Sequence, residues 1–467
     1  MNTKRLFTTL CIGISAISIW GQKESSLIQR IPSIWTFDNE IFLQEYPVEE
    51  QWWSLFGDPT LDSLIALAIN ENFTVESALA RMEQARMNLY IQEGSLLPSF
   101  TANGGWQRQQ TSGNAGGERS WSGNYSLMAN MSWEIDLFGN IRNKVKAQRE
   151  NFHATQEEVR NVKISLCAQV ATTYFQLRQY QQELEVLNHN CESQRSVVIL
   201  TEARNKSGLA SKLDVAQARQ VYYATLALVP SMEANVIQAM NQMAVLLGTI
   251  PGNMITSLSA IRPLPMSIQP IGIDIPASLL RRRPDIRQAE RQINAQTALL
   301  GVAKSEWLPK FFLNGSLGFS SQEFNTLPRS GSLSWEIAPS MTWTIFNGGQ
   351  RYNNVRLNRA KLDEVINQYN QTVLQAIQEA NNAMAIYQNS IKQIVATRQA
   401  FNQSEQALAL SLDLYKQGLS TFQSVLDAQR SLLNDEESLV QIQGYSLVSL
   451  VKLYQSLGGG FDTSSDN

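Results

Sequence analysis

Residues able to do chemistry are sparse in this chain of 467 residues, and none stands in a pattern that a reaction would use. Two histidines occur, His153 and His189, and neither has a second good ligand at metal spacing. Cys167 and Cys191 fall in one predicted helix, so about 36 Å of helix axis separates them and they cannot bridge. Glu157-Glu158 and Glu436-Glu437 lie on helical stretches and read as solvated faces. Gly458-Gly459-Gly460 has no strand before it, so it reads as a helix stop and not as a nucleotide loop. No nucleophile, phosphate loop or carboxylate pair presents itself. The chain is therefore not expected to be an enzyme, and no cofactor or metal is expected.

Composition narrows the class further. The chain is 43% hydrophobic with a net charge of −3 and no basic block, which gives a nucleic-acid partner no electrostatic support. Lys4 and Arg5 precede an apolar run from Leu6 to Trp20, the pattern of a secretory signal peptide over residues 1–21. Cys11 belongs to that apolar run, and Thr8-Thr9-Leu10 before it match a lipid attachment site poorly. The run is shorter than the roughly 20 residues of a membrane helix, and no other stretch approaches that length without charges. If this chain enters a membrane, it does so with strands.

The sequence repeats itself at a shift of about 210 residues. Lys206-Ser-Gly-Leu-Ala-Ser211 recurs as Lys416-Gln-Gly-Leu-Ser-Thr421, Trp133 as Trp343, and Leu97-Pro98 as Leu308-Pro309. A tandem duplication follows: repeat 1 over 59–248 and repeat 2 over 276–458. An N-terminal extended segment (22–58), a linker (249–275) and a disordered tail (459–467) flank and join them.

Each repeat has the same order of patterns. A helical region comes first, Leu61 to Glu93 or Ala277 to Glu306, with Pro284 placed to open a helix. A β-hairpin follows, about 98–137 or 309–346, marked by strict alternation such as Tyr125, Leu127, Ala129, Met131, Trp133 and Ile135. Such alternation would also suit a soluble sheet with one face on a core. The strand lengths and the aromatic residues near the strand ends favour a membrane. A long helix comes next, with apolar residues every seven positions from Ile366 through Val373, Ala380, Tyr387, Ile394, Phe401 and Leu408 to Tyr415. That period belongs to helices running alongside partners as coiled coils. Gly208 and Gly418 break these helices at tips near 206–211 and 416–421, and a second helix returns to Gly248 or Gly458.

Four strands cannot close a barrel, and an open sheet edge in lipid leaves unpaired backbone groups costing several kcal/mol each. Closure must come from several chains, and three would supply twelve strands with a ring of helical hairpins beneath. The expected fold is thus mixed α+β, mainly long helices: a trimeric 12-stranded transmembrane β-barrel continuous with an α-helical barrel. A tube of this kind implies transport.

The motifs Trp52-Trp-Ser-Leu-Phe-Gly-Asp-Pro59, Ala78-Leu-Ala-Arg-Met-Glu-Gln-Ala-Arg86, Trp133-Glu-Ile-Asp-Leu-Phe-Gly139, Leu279-Leu-Arg-Arg-Arg-Pro-Asp285 and Leu426-Asp-Ala-Gln-Arg430 carry a resemblance. From about Trp35 to Gly458 the chain resembles the outer membrane efflux protein family, the TolC-like factors, and most closely the branch serving tripartite RND-type multidrug pumps. The resemblance implies a homotrimer in outer-membrane lipid that extends into the periplasm, with a periplasmic adaptor and an inner-membrane pump as partners. It implies an exit duct for drugs or other toxic small molecules. Type I protein secretion is the alternative, and a non-transporting envelope scaffold a remoter one. Members of this branch often carry a lipid on an N-terminal cysteine, and no cysteine stands near Gln22.

The resemblance also points to residues. Gly208-Leu209 and Gly418-Leu419 correspond to the tips that meet the adaptor, although the glycines would also serve a bare turn. Asp427 corresponds to an acidic ring at the periplasmic constriction, and Tyr415 to a tyrosine of its closing contacts. Ser424 stands where a second acid occurs and Gln423 where a hydrophobic constriction residue occurs; Asp214 is the other repeat's counterpart of Ser424. The plainer reading of Asp427 is a solvated residue or an ion pair with Arg430.

Overall fold

The computed structural model describes residues 35, 41–43, 51–115, 120–252, 258–265, 271–273 and 282–459. The signal segment with Cys11, the start at Gln22, Arg281 and all but the first residue of the tail lie outside them. Among the described residues the helices are α1 (Pro59–Glu71), α2 (Phe73–Gly94), α3 (Asn140–Lys206), α4 (Lys212–Leu226), α5 (Val229–Leu246), α6 (Pro284–Ser305), α7 (Gln350–Lys416) and α8 (Phe422–Ser456). The strands are β1 (Phe42–Leu43), β2 (Ser99–Gln110), β3 (Trp121–Ile135), β4 (Ile271–Gly272), β5 (Lys310–Ser321) and β6 (Leu333–Thr342). No described helix is long and apolar enough to cross a membrane.

The chain divides into two compact units. The first draws on residues up to 79, 158–287 and from 371 onward. Its core is the seam that the heptads lay down: Val373, Ala380 and Met384 of α7, Val170, Leu177 and Leu187 of α3, and Val451 and Leu453 of α8 are all at most 1% exposed. Trp52 stacks on Tyr454 with ring centroids 5.4 Å apart, and Phe56 meets Phe175 at 4.8 Å. This pair explains a departure from the extended reading of residues 22–58. A 3₁₀ turn spans Trp52–Phe56, and the rings at its two ends are both buried in the core.

The helices and the stretch after them depart from expectation in part. The helix expected to return to Gly248 is split into α4 and α5, because Pro230 lacks an N–H and its ring would strike a preceding carbonyl; α8 has no proline and stays whole over 35 residues. The expected helical region from Leu61 to Glu93 consists of two helices. Asn72 interrupts it, accepting at Oδ1 from Thr74 N (2.8 Å) and donating from Nδ2 to Leu246 O (2.8 Å). The stretch 249–275 is more than a linker. Gln181 donates to Leu258 O (2.7 Å), Arg178 to Ala260 O (2.6 Å), and β4 pairs in parallel with β1.

The acidic pairs are not all solvated either. Glu157 is 2% exposed, and Glu436 accepts from Asn190 at 2.8 Å. Packing around the helices buries Glu157 and half-buries both Glu436 and Glu437, which two adjacent charges in a sequence do not reveal.

The second unit, residues 80–157 and 288–370, holds the four-stranded antiparallel sheet in the order β2-β3-β5-β6. Its register puts Phe100, Met131, Gly315 and Ile337 in line, and likewise Gly104, Leu127, Phe319 and Leu333. One face is therefore apolar throughout, apart from a polar patch at the hairpin-loop end. The other carries Ser132, which donates to Asn314 (3.0 Å), with Asn314 reaching Ser340 (3.4 Å). Both faces are open: on the apolar one Phe100 is 71% exposed and Ile337 67%, and on the other Ser132, Glu336 and Ser340 are exposed. Each hairpin is tied to the turn before it by an indole. Trp133 Nε1 donates to Leu96 O (2.9 Å) and Trp343 Nε1 to Trp307 O (3.1 Å).

Candidate functional site: helix tips and an acidic turn

Both tips lie in the first unit and are built alike. At the end of α3, Leu209 N–H bonds to Arg204 O (2.8 Å) and Gly208 N–H to Asn205 O (3.0 Å). At the end of α7, Leu419 N–H bonds to Leu414 O (2.8 Å) and Gly418 N–H to Tyr415 O (3.0 Å). This paired closure satisfies the last helical carbonyls and needs a left-handed residue, which Gly208 (φ +75°) and Gly418 (φ +76°) supply. No atom lies within 4 Å of where a Cβ would stand on either, so dihedral angle and not crowding selects glycine. The leucine after each glycine usually packs back on its helix. Here Leu209 is 66% exposed and Leu419 71%, two apolar side chains displayed at the ends of hairpins.

Beneath the tips all four helices meet around Val197, Val221, Leu408, Tyr415, Phe422 and Val425. Tyr415 packs on Phe422 at 5.3 Å, and the Arg204 guanidinium lies over its ring at 4.7 Å. Arg204 also donates to Lys416 O (2.8 Å), joining the two hairpins. Burial, and then the negative charge of Asp214, push the Tyr415 phenol above its ordinary value. Thr201 and Arg204 lie against Tyr415, but neither reaches hydrogen-bond geometry with its hydroxyl. Asp214 itself closes a capping box at the start of α4, with Ser211 N to Oδ2 3.0 Å and Asp214 N to Ser211 Oγ 3.1 Å.

Asp427, Ser424 and Gln423 are exposed on the first turns of α8. Gln423 Nε2 donates to Asp427 Oδ1 at 2.9 Å, as i and i+4 neighbours do. Arg430 instead reaches Gln220 Oε1 (3.3 Å), so the ion pair with Asp427 is not formed within the chain. The structure thus joins Gln423 to Asp427 and leaves buried Tyr415 with Arg204 and Phe422, apart from them. Ser424 meets Thr421 side chain to side chain at 3.4 Å. Among the described residues no group of three His, Cys, Asp or Glu is placed to hold a metal.

The model of one family, described as outer membrane efflux protein, matches residues 64–249 and again 275–459. The chain belongs to the outer membrane efflux protein family. Its place is accordingly the outer membrane and the adjoining periplasm. The solvent efflux pump outer membrane protein SrpC of Pseudomonas putida is 32% identical over 415 residues, 88% of this chain and 87% of that one. Nodulation protein T of Rhizobium leguminosarum bv. trifolii is 29% identical over 413 residues, 88% of each chain. Among solved structures, the outer-membrane channel OprN superposes with a TM-score of 0.87 at 30% identity, covering 92% of this chain and 97% of that one.

Sequence reasoning missed the partners of Tyr415. Arg204 lies 211 positions away from it, and nothing in local spacing ties the two. The indoles Trp133 and Trp343, matched in the sequence at a shift of 210, make matching hydrogen bonds to the turns before their hairpins.

Proposed function

We propose that this chain is one protomer of a trimeric exit duct, through which small toxic molecules pass from a pump and its periplasmic adaptor to the exterior. The observation that carries the proposal is the sheet of the second unit. It has one apolar and one polar face, both open, and unpaired edges at β2 and β6. An apolar face suits lipid and a polar face suits a water-filled lumen. Strands of 10 to 15 residues are long enough to cross the hydrocarbon layer when tilted. Edges β2 and β6 can only be satisfied by further copies, and three copies give twelve strands.

The chain is also read as two copies of one unit. The family model matches twice, and 22-residue helices (α2, α6), 12-residue strands (β2, β5) and 67-residue helices (α3, α7) recur in the same order. Each 67-residue helix is about 100 Å long, and six of them in a trimer would form the periplasmic barrel. The tips Gly208-Leu209 and Gly418-Leu419 would then meet the adaptor, and three Asp427 carboxylates would ring the constriction. The name of SrpC, a solvent efflux protein, favours small molecules as cargo.

Mass measurement in detergent and conductance in planar bilayers test the reading. A trimer that conducts is expected. A stable monomer refutes the architecture, and a trimer that passes no current leaves the scaffold. Leu209→Trp with Leu419→Trp should abolish efflux while trimers persist; normal resistance in that variant removes the docking role.

A further inference from the structure

The apolar face of the sheet carries one charge. Of the residues that the register places on it, from Phe100 on β2 to Met341 on β6, only Arg108 is ionised. At the midplane of a bilayer an arginine on a lipid-facing strand costs about 2–4 kcal/mol, falling to about 0–1 near the interface. Arg108 stands two residues from the hairpin end of β2, where that cost is smallest.

What surrounds it is a shaped notch. Arg108 pairs in register with Gly123, which has no side chain to fill the face. A Cβ at Gly123 would lie 3.9 Å from Trp106 Nε1, so the indole of Trp106 overhangs that floor. On the other side the Arg108 guanidinium lies over the Trp121 ring, 5.0 Å from its centroid. A guanidinium held by an aromatic ring keeps N–H groups free to donate. Among the described residues, Arg108 has no carboxylate partner, and the Trp106 indole N–H has no acceptor. Donors of two kinds thus stand on the same face beside a glycine, the indole N–H of Trp106 over Gly123 and the Arg108 guanidinium over Trp121, with both indoles exposed (59% and 63%) and of the kind that settle at headgroup level.

We propose that Arg108, Trp106, Gly123 and Trp121 bind the phosphate of a membrane lipid at the loop end of the sheet. The proposal rests on the duct reading, which turns this face to lipid. Two parallel N–H donors from Arg108 take two phosphate oxygens, the indole N–H takes a third, and the acyl chains lie down the apolar face.

The test uses the full chain purified in detergent, probed by native mass spectrometry with phosphatidate, with diacylglycerol of the same acyl chains, and with inorganic phosphate. Phosphatidate is expected to bind at least tenfold more tightly than either of the others. R108A should weaken it about tenfold or more, the loss of charge-assisted hydrogen bonds; R108K should lose part of that. G123V keeps the charge and closes the notch, and should lose binding too, whereas W335F on the same face should not. Equal retention of phosphatidate and diacylglycerol, binding by R108A as by wild type, or inorganic phosphate binding as tightly as the lipid each overturns the proposal. A wild type that conducts but shows no phosphate preference sinks the notch alone. A wild type that is monomeric and forms no pore sinks the duct reading instead.

Discussion

Gly248 and Gly57 offer a matched pair for separating backbone conformation from crowding. Both adopt left-handed dihedral angles, φ +67° and +63°. At Gly57 nothing lies within 4 Å of an added Cβ, so Gly57→Ala meets only the dihedral penalty, about 1 kcal/mol. At Gly248 the added Cβ would stand 2.2 Å from Glu71 O and 3.1 Å from Glu71 C. These are backbone atoms and cannot swing away. The end of α1 must move, and with it the neighbouring Asn72, which is 6% exposed and donates to Leu246 O. Losing that buried hydrogen bond costs about 1–3 kcal/mol. With the dihedral penalty and residual strain, Gly248→Ala should therefore destabilise by about 3–5 kcal/mol. Urea unfolding in detergent reads both, as shifts of midpoint at unchanged slope. Equal shifts for the two variants would refute the steric argument, since only Gly248 is crowded.

Three further outcomes follow from named contacts. Asp427→Ala should raise single-channel conductance or weaken divalent-cation block with stability nearly unchanged, because Asp427 is exposed and its partner is the exposed Gln423; conductance and block both at wild-type values would place the ring elsewhere. Glu183 is 3% exposed, and burial, reinforced by the charge of Glu437, raises its pKa despite hydrogen bonds from Gln179 and Gln441. Its folded form binds protons more readily than its unfolded form, so stability should fall as pH rises from the unfolded value of 4.5 through the raised one. Glu183→Gln should flatten that slope and stabilise at neutral pH; an unchanged slope in a pH series of melts would contradict it. Trp133→Phe and Trp343→Phe each remove an indole donor to a turn carbonyl and should cost about 1 kcal/mol, additively. A sum well above the two single effects would show that the hairpins are coupled through the sheet.

Much of this protein is written in periodicities. A period of seven from Ile366 to Tyr415 marks the packed face of α7, buried at Val373, Ala380, Tyr387, Ile394, Leu408 and Tyr415 and half-buried at Ile366 and Phe401, because a helix that keeps one face to its partners must repeat its apolar side chains at the supercoil's pitch. A period of two names the apolar face of the sheet, because strands alternate their side chains whatever lies beyond. Local chemistry also shows in single residues: Pro284 opens α6, and Gly208 and Gly418 end their helices with positive φ. What spacing could not supply is long-range pairing. Tyr415 under Arg204, Arg108 over Trp121 beside Gly123, and Gln181 holding Leu258 depend on which helix or strand lies beside which. Nor could two adjacent acids reveal that Glu157 is buried while its neighbour is not, since burial is set by the elements packed around a helix. The sequence by itself determined most of the elements and the apolar faces of the strands and the long helices, because these follow from forces acting within a few residues. The tertiary structure alone decided the neighbours, because those are chosen by packing between segments hundreds of positions apart.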